Sequence, residues 1–195
     1  IIDEIEFEIN DNCIWVENVL NTLQQLGNYH LNQVKPNAVI GITGSNGKTT
    51  TKELVHAVLN TTFKTHYTKG NLNNHIGIPL TLLEMKPDTE IAVIEMGANH
   101  QKEIESYCKY VEPTHGIITN CGKAHLEGFG GVEGIRKGKG ELYDYLKQHQ
   151  GLVFVNGDDT ILVNMLQERS MPDFISYGNN SSNKYNSKIL IENPF

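Results

Sequence analysis

The sequence has few cysteines and no paired cysteine motif. Cys13, Cys108 and Cys121 are odd in number and widely spaced, and no CxxC occurs. A disulfide framework needs cysteines in pairs, and a structural zinc site needs closely spaced ligands. The pattern supports neither of them, and we expect three reduced thiols.

The sequence also lacks long apolar runs and an excess of positive charge. No stretch approaches the roughly 18 to 20 apolar residues that cross a bilayer, and no basic start precedes an apolar run at the N-terminus. Lys and Arg number 16 against 23 Asp and Glu, which gives a net charge of −7. A general electrostatic attraction to nucleic acid or anionic membranes is therefore not expected. We expect a cytoplasmic protein without those partners, in which any bound anion is held locally.

Length and composition predict one α/β-sized domain. At about 150 residues per domain, a chain of this length corresponds to roughly 1.3 domains. With 38% hydrophobic and 20% charged residues, the chain is expected to bury a core. It begins at Ile1, without an initiator Met, and stops at Phe195, so we expect it to be part of a longer polypeptide.

Apolar periodicity predicts the fold class. Residues 5–9 resemble a short strand, residues 16–31 have helical spacing, and Pro36 interrupts the pattern. Beyond that point, short β-branched runs alternate with amphipathic helical segments. This alternation predicts an α/β fold with a mostly parallel sheet and helices on both faces.

Four uninterrupted apolar runs are predicted to be strands covered on both faces. They are residues 38–42, 91–94, 116–118 and 152–155. A polar cluster follows each run, and in open parallel sheets ligands bind beyond the carboxyl ends of the strands. We therefore expect four clusters at one crevice: residues 43–50, Glu95, residues 119–125 and residues 156–159.

The first cluster has the composition of a phosphate loop, the name used below for residues 44–50. Its members are Gly44, Ser45, Asn46, Gly47, Lys48, Thr49 and Thr50. Glycines allow backbone N–H groups to face phosphate oxygens, and a following helix adds its positive end. Lys48 is expected to reach the β- and γ-phosphates, and Thr49 to bind Mg²⁺. The usual GxxxxGK[ST] spacing is incomplete, because Ile42 occupies the first glycine position.

The other clusters supply weaker candidates. Glu95 at a strand end is a candidate Mg²⁺ ligand or a plain surface carboxylate. His125 is a candidate functional group or a structural histidine, since Mg²⁺ prefers oxygen ligands. Asn73 and Asn74 could donate to phosphate or acyl oxygens, or form a turn. The 156–159 cluster, with Asn156 and Asp159, could hold a base or ribose, or cap the next helix.

Lys139 is expected on the inward face of a helix over residues 135–149, although nearby glycines weaken that prediction. A desolvated lysine has a lowered pKa, and its neutral amine can react with carbon dioxide to form a carbamate. The alternative is that its stem packs on the core while its ammonium reaches solvent.

Several segments together resemble the Mur ligases. They are GITGSNGKTTTKEL at 41–54, GNLNNHIGIPLTLLEM at 70–85, IEMGANHQKEIE at 94–105, ITNCGKAHLEGFGG at 118–131, KGE at 139–141 and VNGDD at 155–159. Within the family, EMGA after the strand resembles the branch that adds D-alanyl-D-alanine.

The resemblance implies an ATP-driven amide ligase of peptidoglycan precursor synthesis with a P-loop-type central domain. The substrates would be a UDP-MurNAc-peptide and D-Ala-D-Ala, joined through an acyl phosphate. By position, the phosphate loop would bind ATP, with Lys48 on the transferred phosphoryl group. Thr49 and Glu95 would hold one Mg²⁺, and His125 with a carbamylated Lys139 a second. Asn73 and Asn74 would line the γ-phosphate side, and Asn156 and Asp159 would lie near adenine.

The resemblance also implies a domain division. Residues 1–35 would be the tail of an N-terminal UDP-sugar-binding domain or a linker helix, and residues 36–195 an incomplete central ATP-binding domain. The family's C-terminal domain would be absent, so this domain alone would be inactive. We expect a monomer.

Two alternatives to a ligase remain open. A nucleotide-binding switch of the GTPase type needs an NKxD motif, and the nearest match, residues 183–186, lacks the Asp. A small-molecule kinase needs no amine acceptor.

Overall fold

The computed structural model describes residues 1–122 and 126–187. The strands are β1 (Ala38–Thr43), β2 (Thr65–Tyr67), β3 (Ile91–Glu95), β4 (His115–Ile118), β5 (Leu152–Asn156), β6 (Phe174–Gly178) and β7 (Tyr185–Asn186). The helices are α1 (Val19–Val34), α2 (Lys48–Leu59), α3 (Gly77–Leu83), α4 (Glu103–Val111), α5 (Leu126–Phe129), α6 (Val132–Gln148) and α7 (Thr160–Glu168). The strands form one parallel sheet in the order β2-β3-β1-β4-β5-β6-β7.

Alternate residues of the central strands point to two different apolar cores. In β1, Val39 belongs to the larger core, which also receives side chains from α1, α3, α4, α6 and α7. Ile40 and Ile42 belong to the smaller core, against which Val55 and Leu59 of α2 pack. The prediction of a mostly parallel sheet with helices on both faces is confirmed.

Helix α6 contains the glycines that weakened its prediction. A Cβ at Gly138 would lie 2.4 Å from Cε1 of Phe129, and a Cβ at Gly140 would lie 2.3 Å from Nη2 of Arg169. Close packing against neighbouring segments therefore accounts for these low-propensity residues. The same helix buries Lys139, Leu142 and Leu146.

The N-terminal prediction was partly wrong. Residues 5–9 form no strand; Ile5–Phe7 is an exposed 3₁₀ turn, and the nearest pairing is an isolated bridge between Ile2 and Trp15. Without a neighbouring strand or a buried face, the β-propensity of this segment has no effect. The helical prediction over 16–31 is realised as α1, whose N-cap Asn18 accepts from the Asn21 N–H.

Helix α1 packs on the rest of the domain. Its Leu31 lies in the larger core, and a Cβ at its Gly27 would lie 3.1 Å from Pro79 of α3. Within the part of the chain that the structure covers, no helix is both long and apolar enough to cross a membrane.

Candidate active site

The carboxyl ends of three neighbouring strands build the candidate site. Strand β1 lies between β3 and β4, with Ile42 opposite Glu95 and Thr43 opposite Ile118. Because the strands are parallel, the segments that follow them leave the sheet at the same edge. The phosphate loop after β1 thus lies between Glu95 and the segment that begins at Thr119.

Hydrogen bonds from the β4 side fix the phosphate loop. The N–H of Ser45 donates to the Asn120 carbonyl, and the N–H of Asn46 donates to its Oδ1. In return, Thr119 Oγ1 and Asn120 Nδ2 donate to the Asn46 carbonyl at 2.6 and 3.0 Å. The loop is therefore held in shape by the protein itself, which limits the entropy lost when a ligand binds.

Two glycines give the phosphate loop its conformation. Gly44 has φ +142°, and a Cβ there would lie 2.0 Å from Thr119 Oγ1. Gly47 has φ +77° and directly precedes α2, which begins without a side-chain cap. The first N–H groups of α2 therefore have no capping side chain, and an anion can accept from them.

Lys48 lies over the same loop. Its Nζ donates to the carbonyls of Gly44 and Ser45 at 2.8 and 3.1 Å. Burial lowers the pKa of Lys48, and the nearby Glu95 carboxylate opposes that shift. The arrangement places one cation beside the helix N-terminus, as binding of a polyphosphate requires.

Glu95 is the most enclosed carboxylate of the site, at 1% exposure. Its Oε1 accepts from Thr49 Oγ1 at 3.2 Å and from Asn73 Nδ2 at 2.8 Å. Its Oε2 is buried and accepts no hydrogen bond. A buried carboxylate oxygen without a donor is costly unless a cation compensates it.

The oxygen atoms of Thr49 and Glu95 have the chemistry and the spacing of magnesium ligands. Adjacent oxygen ligands in an octahedral Mg²⁺ shell of about 2.1 Å radius lie about 3.0 Å apart, close to the Thr49–Glu95 spacing. Within residues 1–122 and 126–187 no group of three or more His, Cys, Asp or Glu could hold a metal. Phosphate oxygens and water would therefore have to complete such a shell.

Lys139 is buried on α6, at 2% exposure. Its Nζ donates to the Ala98 carbonyl at 3.0 Å and lies 4.9 Å from the ring centre of Phe129. Burial, together with the charge of Lys48, lowers the pKa of Lys139 to about 8. The burial of Lys139 shows that its ammonium does not reach solvent, and the same burial favours the neutral amine.

The remaining predicted residues have local hydrogen-bonding roles. Asn74 Oδ1 accepts from the N–H groups of Ile76 and Gly77 at the start of α3. Asp159 caps α7, and Asn156 Oδ1 accepts from the Asp158 N–H. These hydrogen bonds neither support nor exclude contact between the three side chains and a nucleotide. The assignments of Asn74, Asn156 and Asp159 therefore stay predictions.

His125 lies outside the described residues. Its predicted role as a metal ligand, with Lys139, therefore also stays a prediction.

Two charged residues that lie near the site were not identified from the sequence. Lys52 on α2 is fully buried, with Nζ 3.7 Å from Glu95 Oε2. Glu141 on α6 accepts from the N–H groups of Lys102 and Glu105, and so ties the start of α4 to α6. Only their positions in the sequence could have indicated a place near the site: Lys52 lies three residues after Thr49, and Glu141 lies two residues after Lys139.

A comparison with protein families decides the assignment. The Mur ligase middle domain matches residues 42–194, which is most of the chain. The chain belongs to the Mur ligase middle-domain family. The match includes the phosphate loop, Glu95 and Lys139, and it confirms the resemblance drawn from the motifs.

Relatives of this Mur ligase domain agree on the branch. It is 42% identical over 176 residues to the UDP-N-acetylmuramoyl-tripeptide–D-alanyl-D-alanine ligase of Bacillus subtilis, covering 90% of this chain and 37% of that protein. It is 44% identical over 132 residues to the enzyme of the same name from Escherichia coli, covering 68% of this chain and 29% of that protein. The branch predicted from the EMGA segment is confirmed by these relatives.

Solved structures agree on the fold of the Mur ligase domain. The crystal structure of MurF from Acinetobacter baumannii matches with a TM-score of 0.79 at 37% identity, over 89% of this chain and 39% of that one. MurF from Thermotoga maritima, in complex with ADP, matches with a TM-score of 0.78 at 31% identity, over 89% of this chain and 40% of that one. The chain thus spans about two fifths or less of the length of these relatives.

Proposed function

We propose that this chain is the ATP-binding part of a ligase of peptidoglycan precursor synthesis. The ligase joins D-Ala-D-Ala to the terminal carboxylate of a UDP-MurNAc-peptide. The observation that carries the proposal is the Thr49–Glu95 pair beside the phosphate loop, in a chain 42% identical to such a ligase. Residues 36–195 would form the ATP-binding domain, and residues 1–35 would lead into it from a UDP-sugar-binding domain. The protein would be a cytoplasmic monomer.

The chemistry divides into two transfers. The peptide carboxylate attacks the γ-phosphorus of ATP, the bond to the β,γ-bridging oxygen breaks, and ADP leaves. The amine of D-Ala-D-Ala then attacks the acyl phosphate, loses a proton and displaces inorganic phosphate. Such phosphoryl transfers depend mainly on positioning and charge neutralisation.

This chain's residues supply positioning and charge. The amides of residues 44–50 hold the phosphates, and Lys48 neutralises the oxygens of the transferred group. Thr49 and Glu95 would hold one Mg²⁺, and His125 and Lys139 a second; these ions neutralise phosphate charge. Asn73 would lie on the γ-phosphate side of the site. Its Nδ2 donates a hydrogen bond to Glu95 Oε1.

We also propose that Lys139 is carbamylated. Its neutral amine attacks the carbon of CO₂ and loses a proton, which yields a carbamate with one negative charge. Burial lowers the pKa of Lys139 to about 8, which supports the proposal, since only the neutral amine reacts. The carbamate would turn a buried cation into an oxygen ligand suited to Mg²⁺.

Phosphate release by the full-length protein tests the proposed reaction. We expect release from ATP to require both the UDP-MurNAc-tripeptide and D-Ala-D-Ala, with one amide product formed per phosphate. Mass spectrometry identifies the product. Transfer of phosphate to a hydroxyl acceptor without the amine would instead support a kinase and contradict the ligase.

Replacing Glu95 with glutamine is expected to reduce the effect of Mg²⁺ on nucleotide binding. We define the magnesium enhancement as the Kd of a non-hydrolysable ATP analogue in EDTA divided by its Kd in Mg²⁺. Loss of the Glu95 charge should lower this ratio by about tenfold or more. Titration calorimetry measures it, with Glu84→Gln as the control, because Glu84 is half-exposed and pairs with Lys69. An unchanged ratio in Glu95→Gln would remove Glu95 from the metal site.

A further inference from the structure

Lys52 is a buried cation that the proposed reaction does not use. Its side chain has 0% exposure, although it lies only one helical turn after Lys48 on α2. Its Nζ lies 3.1 Å from Glu53 Oε1 and 3.7 Å from Glu95 Oε2. Burying an ammonium is unfavourable unless it is paired, and the Glu95 carboxylate is the buried partner.

The two oxygens of Glu95 face different groups. Oε1 accepts from Thr49 and Asn73. Oε2 accepts no hydrogen bond, and its charged neighbour is the Lys52 ammonium. The plane of the carboxylate is therefore fixed with one oxygen toward Thr49 and the other toward Lys52.

The same ammonium also reaches the asparagine loop. Lys52 Nζ donates to the Gly70 carbonyl at 3.1 Å, at the start of the segment that carries Asn73. The Asn73 carbonyl in turn accepts from the N–H of Gly97, just beyond β3. One buried cation thus connects α2, the asparagine loop and the end of β3.

We infer that Lys52 is a positioning residue for the magnesium site: it holds Oε2 of Glu95 so that Oε1, beside Thr49 Oγ1, is the oxygen presented to the ion. The inference rests on the proposed function and deepens it. Lys52 would act through Glu95 and the Gly70 carbonyl, and is not itself proposed as a ligand of the nucleotide or the metal. Groups that orient a metal ligand typically change metal affinity by 10- to 100-fold when removed.

The test compares the magnesium enhancement of variants in the full-length protein. Lys52→Met keeps an unbranched side chain of most of the lysine length and removes its charge, and we expect the enhancement to fall by about tenfold. Lys52→Arg keeps the charge and should recover part of the loss. Lys64→Met is the matched control, because Lys64 is exposed and pairs with Asp88. The Kd in EDTA is the reference for the ratio in each variant, and it should change little in Lys64→Met.

A purely structural lysine gives a different result. It would lower the melting temperature in Lys52→Met and leave the enhancement at the wild-type value, which would overturn the inference; an increased enhancement would overturn it too. If Lys52→Met does not fold, Lys52→Gln, which removes the charge but keeps a polar side chain, carries the same expectation and the same contrary outcome. An unchanged enhancement in Glu95→Gln would instead refute the proposed metal site itself.

Discussion

Replacing Lys48 with alanine is expected to weaken ATP binding by at least about a hundredfold. Lys48 is the cation that lies over the phosphate loop, where its Nζ now donates to two loop carbonyls. With ATP bound, we expect these donors to turn to the β- and γ-phosphates. Charge-assisted hydrogen bonds contribute about 1.5 to 3 kcal/mol each, and about 2.7 kcal/mol corresponds to a hundredfold change in Kd.

Titration calorimetry with a non-hydrolysable ATP analogue and Mg²⁺ measures this effect. Lys109→Ala is the control, because Lys109 is exposed on α4 and pairs there with Glu105. Its Kd should equal that of the unmodified protein. An equally unchanged Kd in a folded Lys48→Ala variant would show that the phosphate loop is not the nucleotide site.

Replacing Lys139 with alanine is expected to lower the ligase rate by at least about a hundredfold, a loss typical of removing one charge-stabilising group. ATP affinity should change much less, because the phosphate loop is intact. Since the variant leaves space where the buried side chain lay, short carboxylic acids such as acetate should restore part of the rate by supplying the missing carboxylate.

The matched control is Lys137→Ala, an exposed lysine two residues earlier on α6. Acetate should have no effect on its rate. Carbon-13 NMR of the wild-type protein in labelled bicarbonate provides a second readout. A carbamate signal should be present in the wild-type protein and absent in Lys139→Ala. Full activity of the untreated Lys139→Ala variant would remove this lysine from the site.

The buried strands could be predicted because both of their faces are apolar. In runs such as residues 91–94 every residue is apolar, so the sequence does not depend on an alternating pattern to indicate a strand. Each of the four predicted runs is an interior strand of the sheet. The edge strands gave no such signal: β2 has only three half-buried residues, and both residues of β7 are exposed. Conversely, the apolar alternation at residues 5–9 suggested a strand that has no partner.

The centre of the site followed from topology, whereas its supporting groups did not. Thr49 and Glu95 meet because β1 and β3 are neighbours that end at the same edge, which the strand-end clusters already indicated. Lys52 could not be recognised, since a lysine in an amphipathic helix usually faces solvent. The burial of Lys139 was predictable from its spacing to Leu142, Tyr143 and Leu146, all of which are buried.

A crystal structure of the full-length protein with Mg²⁺ and a non-hydrolysable ATP analogue tests the central claim most directly. We expect the terminal phosphates in the turn of residues 44–50, with a metal ion about 2.1 Å from both Thr49 Oγ1 and a carboxylate oxygen of Glu95. A nucleotide bound at another edge of the sheet, or a metal ion far from Glu95, would contradict it.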